Sequence, residues 1–235
     1  MWILCYAYFV MIYTHKIEKA IRKASFLHRG QLRKGDGSVP FITHPFAMAL
    51  ILMEFTSTPK CRRPELEVKK MSQPPDGHRE TSDTFDVGFT QDEDIIVGGI
   101  LHDTIEETNY SYEELEKDFG KNIRNIVESL TECKKNEDPG KVWQERKDIY
   151  LKLMKDMSQK ALMISAADKI HNLLSMIYDY ETIGEEMWNK FNVPADKRLW
   201  FYGECLKILQ KRLKDPIVEE YKKVLKKAHK IFHVK

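Results

Sequence analysis

Residues 161–180, ALMISAADKIHNLLSMIYDY, leave the rest of the chain little freedom. Leu162, Met163, Ile164, Ala166, Ala167, Ile170, Leu173 and Leu174 make a helix over 160–180 that is apolar nearly all round. A helix with no polar face must be covered on every side. It is therefore central, and other elements must wrap it. No convincing alternating strand and no internal repeat occurs elsewhere, so the expected fold class is all-α, a compact multi-helix bundle.

The covering helices can be read from their apolar spacing. Residues 14–29 carry Ile17, Ala20, Ile21, Ala24 and Leu27 at helical intervals with a basic outer face. A loop over 30–40 holds three glycines, a proline and the pair Arg33–Lys34. A second helix is expected over 41–55, with Thr43 as N-cap and Pro45 in the first turn. One continuous helix is expected over 93–107, in which Gly98 and Gly99 allow close helix approach. Ser111 and Glu114 form an S-x-x-E capping box for a short helix stopped at Gly120. Further helices are expected over 122–133, 143–157, 185–191, 198–213 and 216–232, with a polar loop over 134–140.

Two stretches stand apart. Residues 56–91 hold four prolines, clustered charges and few large apolar residues. They read as a surface insertion, with Cys61 and His78 incidental. The first thirteen residues, MWILCYAYFVMIY, are apolar and aromatic. They are too short to cross a bilayer, for which a helix needs about 20 residues, and they lack a basic leader and a small-residue cleavage site. The expected organisation is an apolar extension over 1–13 and a single domain over 14–235. The aromatics of the extension, and Trp200-Phe201-Tyr202, could serve a homo-oligomer face or the core.

A net charge of +2 gives no global field that demands nucleic acid. The lysines after Lys197 alternate with apolar residues at helical spacing, as on a solvated amphipathic helix. Cys5, Cys61, Cys133 and Cys205 form no CxxC pair, so neither a zinc knuckle nor a disulfide framework is indicated, and a cytoplasmic setting is the default.

Chemistry concentrates in GILHDTIEET, residues 99–108, which places His102, Asp103, Glu106 and Glu107 within six residues. Imidazole nitrogen with carboxylate oxygen is a common donor set for a borderline dication. A glutamate one turn on stands where a base or water-positioning group is needed. The pair alone would be outweighed by a plain acidic helix start. Asp168 adds weight, because a carboxylate in apolar company is costly unless it meets a cation or strong donors. Lys169, at i+1, points elsewhere, whereas Asn172 lies one turn on along the same face. His44, in ITHP, is the third candidate. Together His44, His102, Asp103 and Asp168 offer two imidazoles and two carboxylates, a set that formally neutralises a dication and leaves positions for water and substrate.

The order H…HD…D within HRGQLRKG…PFITHP, LHDTIEET and AADKIHN resembles the HD superfamily of metal-dependent phosphohydrolases. Within it, the chain is most similar to the hydrolase domain of RelA/SpoT-type alarmone enzymes and their small single-domain relatives, from about Lys16 to Leu213. The resemblance implies an HD-type domain with His44, His102, Asp103 and Asp168 as metal ligands and Mn²⁺ as the usual ion. It implies that Glu106 and Glu107 position or activate the attacking water, the family usually having Glu-Asp there. It places Arg33, Lys34 and Asn172 on the nucleotide. Ser165 stands where alarmone hydrolases often carry a lysine.

The implied activity is hydrolysis of guanosine 3′,5′-bis(diphosphate), (p)ppGpp, at the 3′ position with release of pyrophosphate. The implied partner is that nucleotide, without nucleic acid and without a stable membrane span. Two alternatives stand beside it: the same metal chemistry on another nucleotide, and a degenerate nucleotide-binding HD module.

Overall fold

The computed structural model describes residues 13–33, 38–56, 92–132 and 139–234. The insertion beyond Thr56, the extension before Tyr13, and Lys34 lie outside the described residues. The described elements are all helical: α1 (His15–Leu27), α2 (Thr43–Thr56), α3 (Glu93–Leu101), α4 (Thr104–Glu107), α5 (Tyr112–Phe119), α6 (Lys121–Leu130), α7 (Pro139–Met154), α8 (Gln159–Ile183), a 3₁₀ stretch (Gly184–Lys190), α9 (Ala195–Arg212) and α10 (Pro216–Ile231). An isolated bridge between Leu32 and Pro40 is the one β-type pairing among the described residues.

The apolar run at 161–180 lies within α8, which spans 25 residues and is packed against α2, α3, α6, α9 and α10. Ala161, Leu162, Ile164, Ala166, Ala167 and Leu173 are fully buried along it. Each buried leucine or isoleucine contributes about 1.5–3 kcal/mol of hydrophobic stabilisation. The bundle is thus organised around α8, although its C-terminal half is not covered on every side: Leu174 and Tyr178 are exposed.

Packing against α8 is close because α3 carries the two glycines. A Cβ on Gly98 would stand 2.9 Å from Ile164 of α8 and 3.0 Å from Ile126 of α6. A Cβ on Gly99 would stand 2.5 Å from Leu52 of α2. The pair therefore sets the clearance between α3 and three neighbours. Every residue of α3 from Ile95 to Leu101 is buried.

Local signals behave as their chemistry demands. Thr14 caps α1 by accepting from Ile17 N–H at 3.2 Å. Ser111 and Glu114 form the reciprocal capping box. Gly120 takes φ +85° at the junction of α5 and α6, a backbone geometry that a side chain would strain.

Three expectations are corrected. The helix expected over 93–107 breaks after Leu101, because His102 Nδ1 donates to the Gly99 carbonyl at 2.9 Å and the Thr104 hydroxyl donates to the Leu101 carbonyl at 2.6 Å. These side chains satisfy carbonyls that the next turn would otherwise take. Thr43 is the first residue of α2 rather than its N-cap, and its hydroxyl donates to the Pro40 carbonyl at 2.8 Å. Lys169 does not point away from Asp168: its Nζ stands 2.6 Å from Asp168 Oδ2. No helix among the described residues is long and apolar enough to cross a membrane.

Candidate metal centre

Three elements supply the cluster. His44 lies on the buried side of α2 with Met48 and Leu52, at spacings of four, and is 1% exposed. The break between α3 and α4 presents His102 and Asp103. Asp168 projects from the central helix α8.

The distances are short throughout. His102 Nε2 lies 3.0 Å from Asp103 Oδ1, and His44 Nε2 lies 3.6 Å from Asp103 Oδ2. Asp168 Oδ1 lies 3.2 Å from His44 Nε2 and 3.9 Å from His102 Nε2. His44, His102 and Asp103 each offer one ligand atom, all within 4.8 Å of one another. Donors bound at about 2.1 Å from one ion stand roughly 3–4 Å apart, so the cluster has coordination dimensions.

The donor chemistry also fits a dication. His102 Nδ1 faces a carbonyl, which can only accept, so Nδ1 carries a proton and Nε2 is the nitrogen turned toward the carboxylates. That Nε2 is buried, and among the described residues its nearest acceptor is Asp103 Oδ1 at 3.0 Å, at an angle poor for a hydrogen bond. A buried imidazole nitrogen crowded against a carboxylate without a well-aligned hydrogen bond calls for an explanation, and a cation between them supplies one. This His/His/Asp cluster can coordinate a divalent metal.

Asp168 borders the three. Its Oδ2 meets Lys169 Nζ, and its Oδ1 accepts from Asn172 Nδ2 at 2.5 Å while facing both imidazoles. Asn172 Oδ1 in turn accepts from Arg33 Nη2 at 2.8 Å. Arg33 also lies over the Phe41 ring, 5.7 Å from its centroid. Asn172 thus links the loop arginine to the aspartate.

Electrostatics bind the cluster tightly. Burial works against charge on His102, yet the Asp103 carboxylate outweighs it and holds this imidazole up at about 9. Burial opposes ionisation of Asp103 too, but His102 beside it pulls the carboxyl down to about 2. For Asp168, Lys169 and then His44 overcome burial and hold the carboxyl well below its usual range. Burial lowers His44. Burial, with His44 and Arg33 nearby, lowers His171 to about 3.

A cavity of about 820 Å³ opens onto the cluster and is lined by His44, His102, Asp103, Asp168, Glu106 and Glu107 among others. Glu106 is partly buried: its Oε2 accepts from the Glu132 backbone N–H at 3.2 Å, and its Oε1 lies 3.9 Å from Arg146 Nη2. Glu107 is exposed at the rim. Arg33 and Asn172 line the same cavity. The structure therefore gathers every described candidate around one space.

The same walls include residues that the sequence did not single out. Arg146, Lys147 and Arg198 bring positive charge, and Lys147 Nζ lies over the Phe201 ring at 4.7 Å. They come from α7 and α9, separated in sequence from the motif, so no local spacing marks them. His171 is different. It lies three residues after Asp168, one helical turn on, and its Nδ1 is 2.7 Å from Nδ1 of His44. The i, i+3 spacing could have found it.

Comparison with known proteins places this arrangement. A family model described as HD domain matches residues 82–188, a span that includes His102, Asp103 and Asp168 but not His44. The guanosine-3′,5′-bis(diphosphate) 3′-pyrophosphohydrolase MESH1 of Xenopus tropicalis is 31% identical over 157 residues, covering 67% of this chain and 67% of that protein. A GTP pyrophosphokinase of Streptomyces coelicolor is 30% identical over 165 residues, 69% of this chain but only 15% of that longer protein. The solved structure described as "A metazoan ortholog of SpoT hydrolyzes ppGpp and plays a role in starvation responses" superposes with a TM-score of 0.62 at 22% identity, over 94% of this chain and 97% of that one. A structure from Listeria monocytogenes EGD-e gives 0.57 at 23% identity, over 80% and 99%. These two likenesses establish the shared fold. With the His/His/Asp cluster in place and a relative at 31% identity, the chain belongs to the HD superfamily of metal-dependent phosphohydrolases, as a hydrolase related to the RelA/SpoT- and MESH1-type (p)ppGpp enzymes.

Proposed function

We propose that the protein is a Mn²⁺-dependent (p)ppGpp 3′-pyrophosphohydrolase in which His44, His102, Asp103 and Asp168 hold the ion. The observation that carries this reading is the His44, His102 and Asp103 cluster of coordination size, at the wall of a cavity roomy enough for a nucleotide. When bound, a dication lowers the pKa of water and polarises a phosphoryl oxygen. The mixed nitrogen and oxygen donor set suits manganese.

The chain's own residues do the rest. Glu106 orients the attacking water and accepts its proton. Its Oε2 is held by the Glu132 N–H, which fixes the direction of the carboxylate. Glu107, at the rim, assists in guiding that water. Arg33, with its planar fork, and Lys34, as a point charge, hold the nucleotide. Asn172, already bonded to Arg33 and Asp168, aligns substrate with the ion side of the cavity. Arg198 adds positive potential along the wall, which favours a ligand carrying phosphates, while Arg146 and Lys147 are neutralised in part by Glu132.

A second reading, hydrolysis of a different nucleotide, is favoured by Ser165. Its hydroxyl is buried and paired with the Tyr150 hydroxyl at 2.9 Å, so this position offers the substrate no cation. The test is pyrophosphate release from ppGpp by the Mn²⁺-loaded protein, run beside a panel of other nucleotides. Pyrophosphate release that disappears in His102→Ala and Asp103→Ala supports the proposal. Turnover that is confined to other nucleotides transfers the site to the second reading, and turnover unchanged by either substitution removes both.

A further inference from the structure

We propose that His171 is a positioning residue for His44, and that its imidazole reverses the direction of their shared hydrogen bond when a divalent cation binds. The inference rests on the metal-centre reading above. It starts from the contact between the two Nδ1 atoms at 2.7 Å, with the rings 4.8 Å apart. Two imidazole nitrogens at that distance share one proton, so one ring donates and the other accepts.

The other face of His44 decides which. His44 Nε2 lies 3.2 Å from Asp168 Oδ1 and 3.6 Å from Asp103 Oδ2. Without an ion, a neutral His44 satisfies these carboxylates by carrying its proton on Nε2. Its Nδ1 then accepts from His171. To bind an ion, Nε2 must offer its lone pair. The ring proton of His44 then stands on Nδ1, and the same contact runs from His44 to His171.

The protons balance. The shared proton passes from His171 Nδ1 to His44 Nδ1, the Nε2 proton of His44 leaves, and His171 takes up one on its own Nε2. Both rings are neutral before and after, and together they hold two protons in each state. His171 is only partly buried, within reach of the water that this exchange needs.

The contrast with His102 shows why an imidazole suits this position. The partner of His102 Nδ1 is the Gly99 carbonyl, which accepts and never donates. His102 is thereby fixed with its proton on Nδ1. His44 stands between two carboxylates and needs a partner that serves in both directions. His171 meets that need from the same face of α8 that presents Asp168 one turn earlier. Outer partners of metal-bound histidines orient the ring, and their loss costs about 10–100-fold in metal affinity or activity.

The experiment titrates Mn²⁺ into the full chain and reads free Mn²⁺ by electron paramagnetic resonance, for wild type, His171→Phe and His171→Gln. His171→Phe, which can neither donate nor accept, is expected to lose about 10–100-fold in affinity. His171→Gln, whose amide can accept through oxygen or donate through nitrogen, is expected to regain most of that loss. Two-bond ¹H–¹⁵N correlation spectra of the Zn²⁺-loaded protein are expected to show His44 with its proton on Nδ1 in wild type and in His171→Gln. Metal-free melting is expected to fall in His171→Phe, which leaves the buried Nδ1 of His44 unpaired, and to recover in His171→Gln; titrations run well below every melting temperature separate positioning from folding. Wild-type affinity in His171→Phe, or equal loss in both variants, overturns this inference alone. Wild type that takes up no Mn²⁺ overturns the metal centre and this inference with it.

Discussion

Two charged clusters share the cavity wall, and they are built on opposite plans. Around Glu132, the carboxylate meets Arg146 Nη2 at 2.9 Å through one oxygen and Lys147 Nζ at 2.5 Å through the other. Each of its oxygens has a cation. Around His102, two imidazoles and two carboxylates crowd together with their donor atoms turned toward one point. A carboxylate matched oxygen by oxygen with cations holds helices together, whereas imidazoles and carboxylates converging on one point have donors to offer an ion. Charge density does not separate the two, but the kind of donor does: ammonium and guanidinium around Glu132, imidazole and carboxylate around His102. Glu106 stands at their border, held by the Glu132 backbone while facing the same space as His102.

The largest effect that would break this contrast comes from the imidazole and carboxylate cluster. If the proposed centre holds Mn²⁺, Asp103→Ala is expected to abolish its uptake, read by elemental analysis, and to lose several kcal/mol of transition-state stabilisation, on the order of 10³-fold in turnover. Its helices are expected to remain, read by circular dichroism, although His102 and His44 lose the carboxylate that faces both. Next comes Glu106→Gln, which should lower kcat by about 10²–10⁴-fold in steady-state assays while leaving Mn²⁺ uptake unchanged. Loss of the ion in this variant would erase the border drawn here.

The Glu132 cluster predicts the reverse pattern. Glu132→Gln leaves Arg146 and Lys147 facing a neutral amide, and is expected to destabilise the fold by about 3 kcal/mol in chemical denaturation without loss of Mn²⁺ binding. The pH dependence follows from the carboxyl. Although burial opposes ionisation, Lys147 and its neighbours hold it below its usual range. Its contribution is therefore fully present above the unfolded value of about 4.3 and disappears as pH falls through the lower folded value. Wild type should lose stability more steeply than Glu132→Gln in acid denaturation below that point. The smallest effect is expected at Gly99→Ala, where the new methyl meets fully buried Leu52 and costs about 1–3 kcal/mol in thermal or denaturant unfolding.

Much of this was legible in residue order because the deciding forces are local or simply hydrophobic. An all-round apolar α8 can only be central. The Ser111–Glu114 box names its own helix start. His44, His102, Asp103 and Asp168 were readable as a donor set from their chemistry, and the helices bring them together. What could not be read depended on neighbours distant in sequence. The apolar period runs unbroken through His102, so nothing local signals that His102 and Thr104 would take the Gly99 and Leu101 carbonyls and end α3. Spacing rules send Lys169 away from Asp168. Its side chain instead curls back, because the Tyr150 ring at 4.6 Å and the Phe201 ring at 5.8 Å shelter the ammonium. The cations of α7 and α9 reach the cavity only through tertiary packing.

The bond from His102 Nδ1 to the Gly99 carbonyl has a consequence for dynamics. One imidazole finishes a helix and faces the candidate ion. Fraying of the last turn of α3 and escape of the ion then become one event seen from two ends. By mutual linkage, an ion gripped at Nε2 should slow amide exchange in that turn, and whatever loosens the turn should hasten the ion's departure.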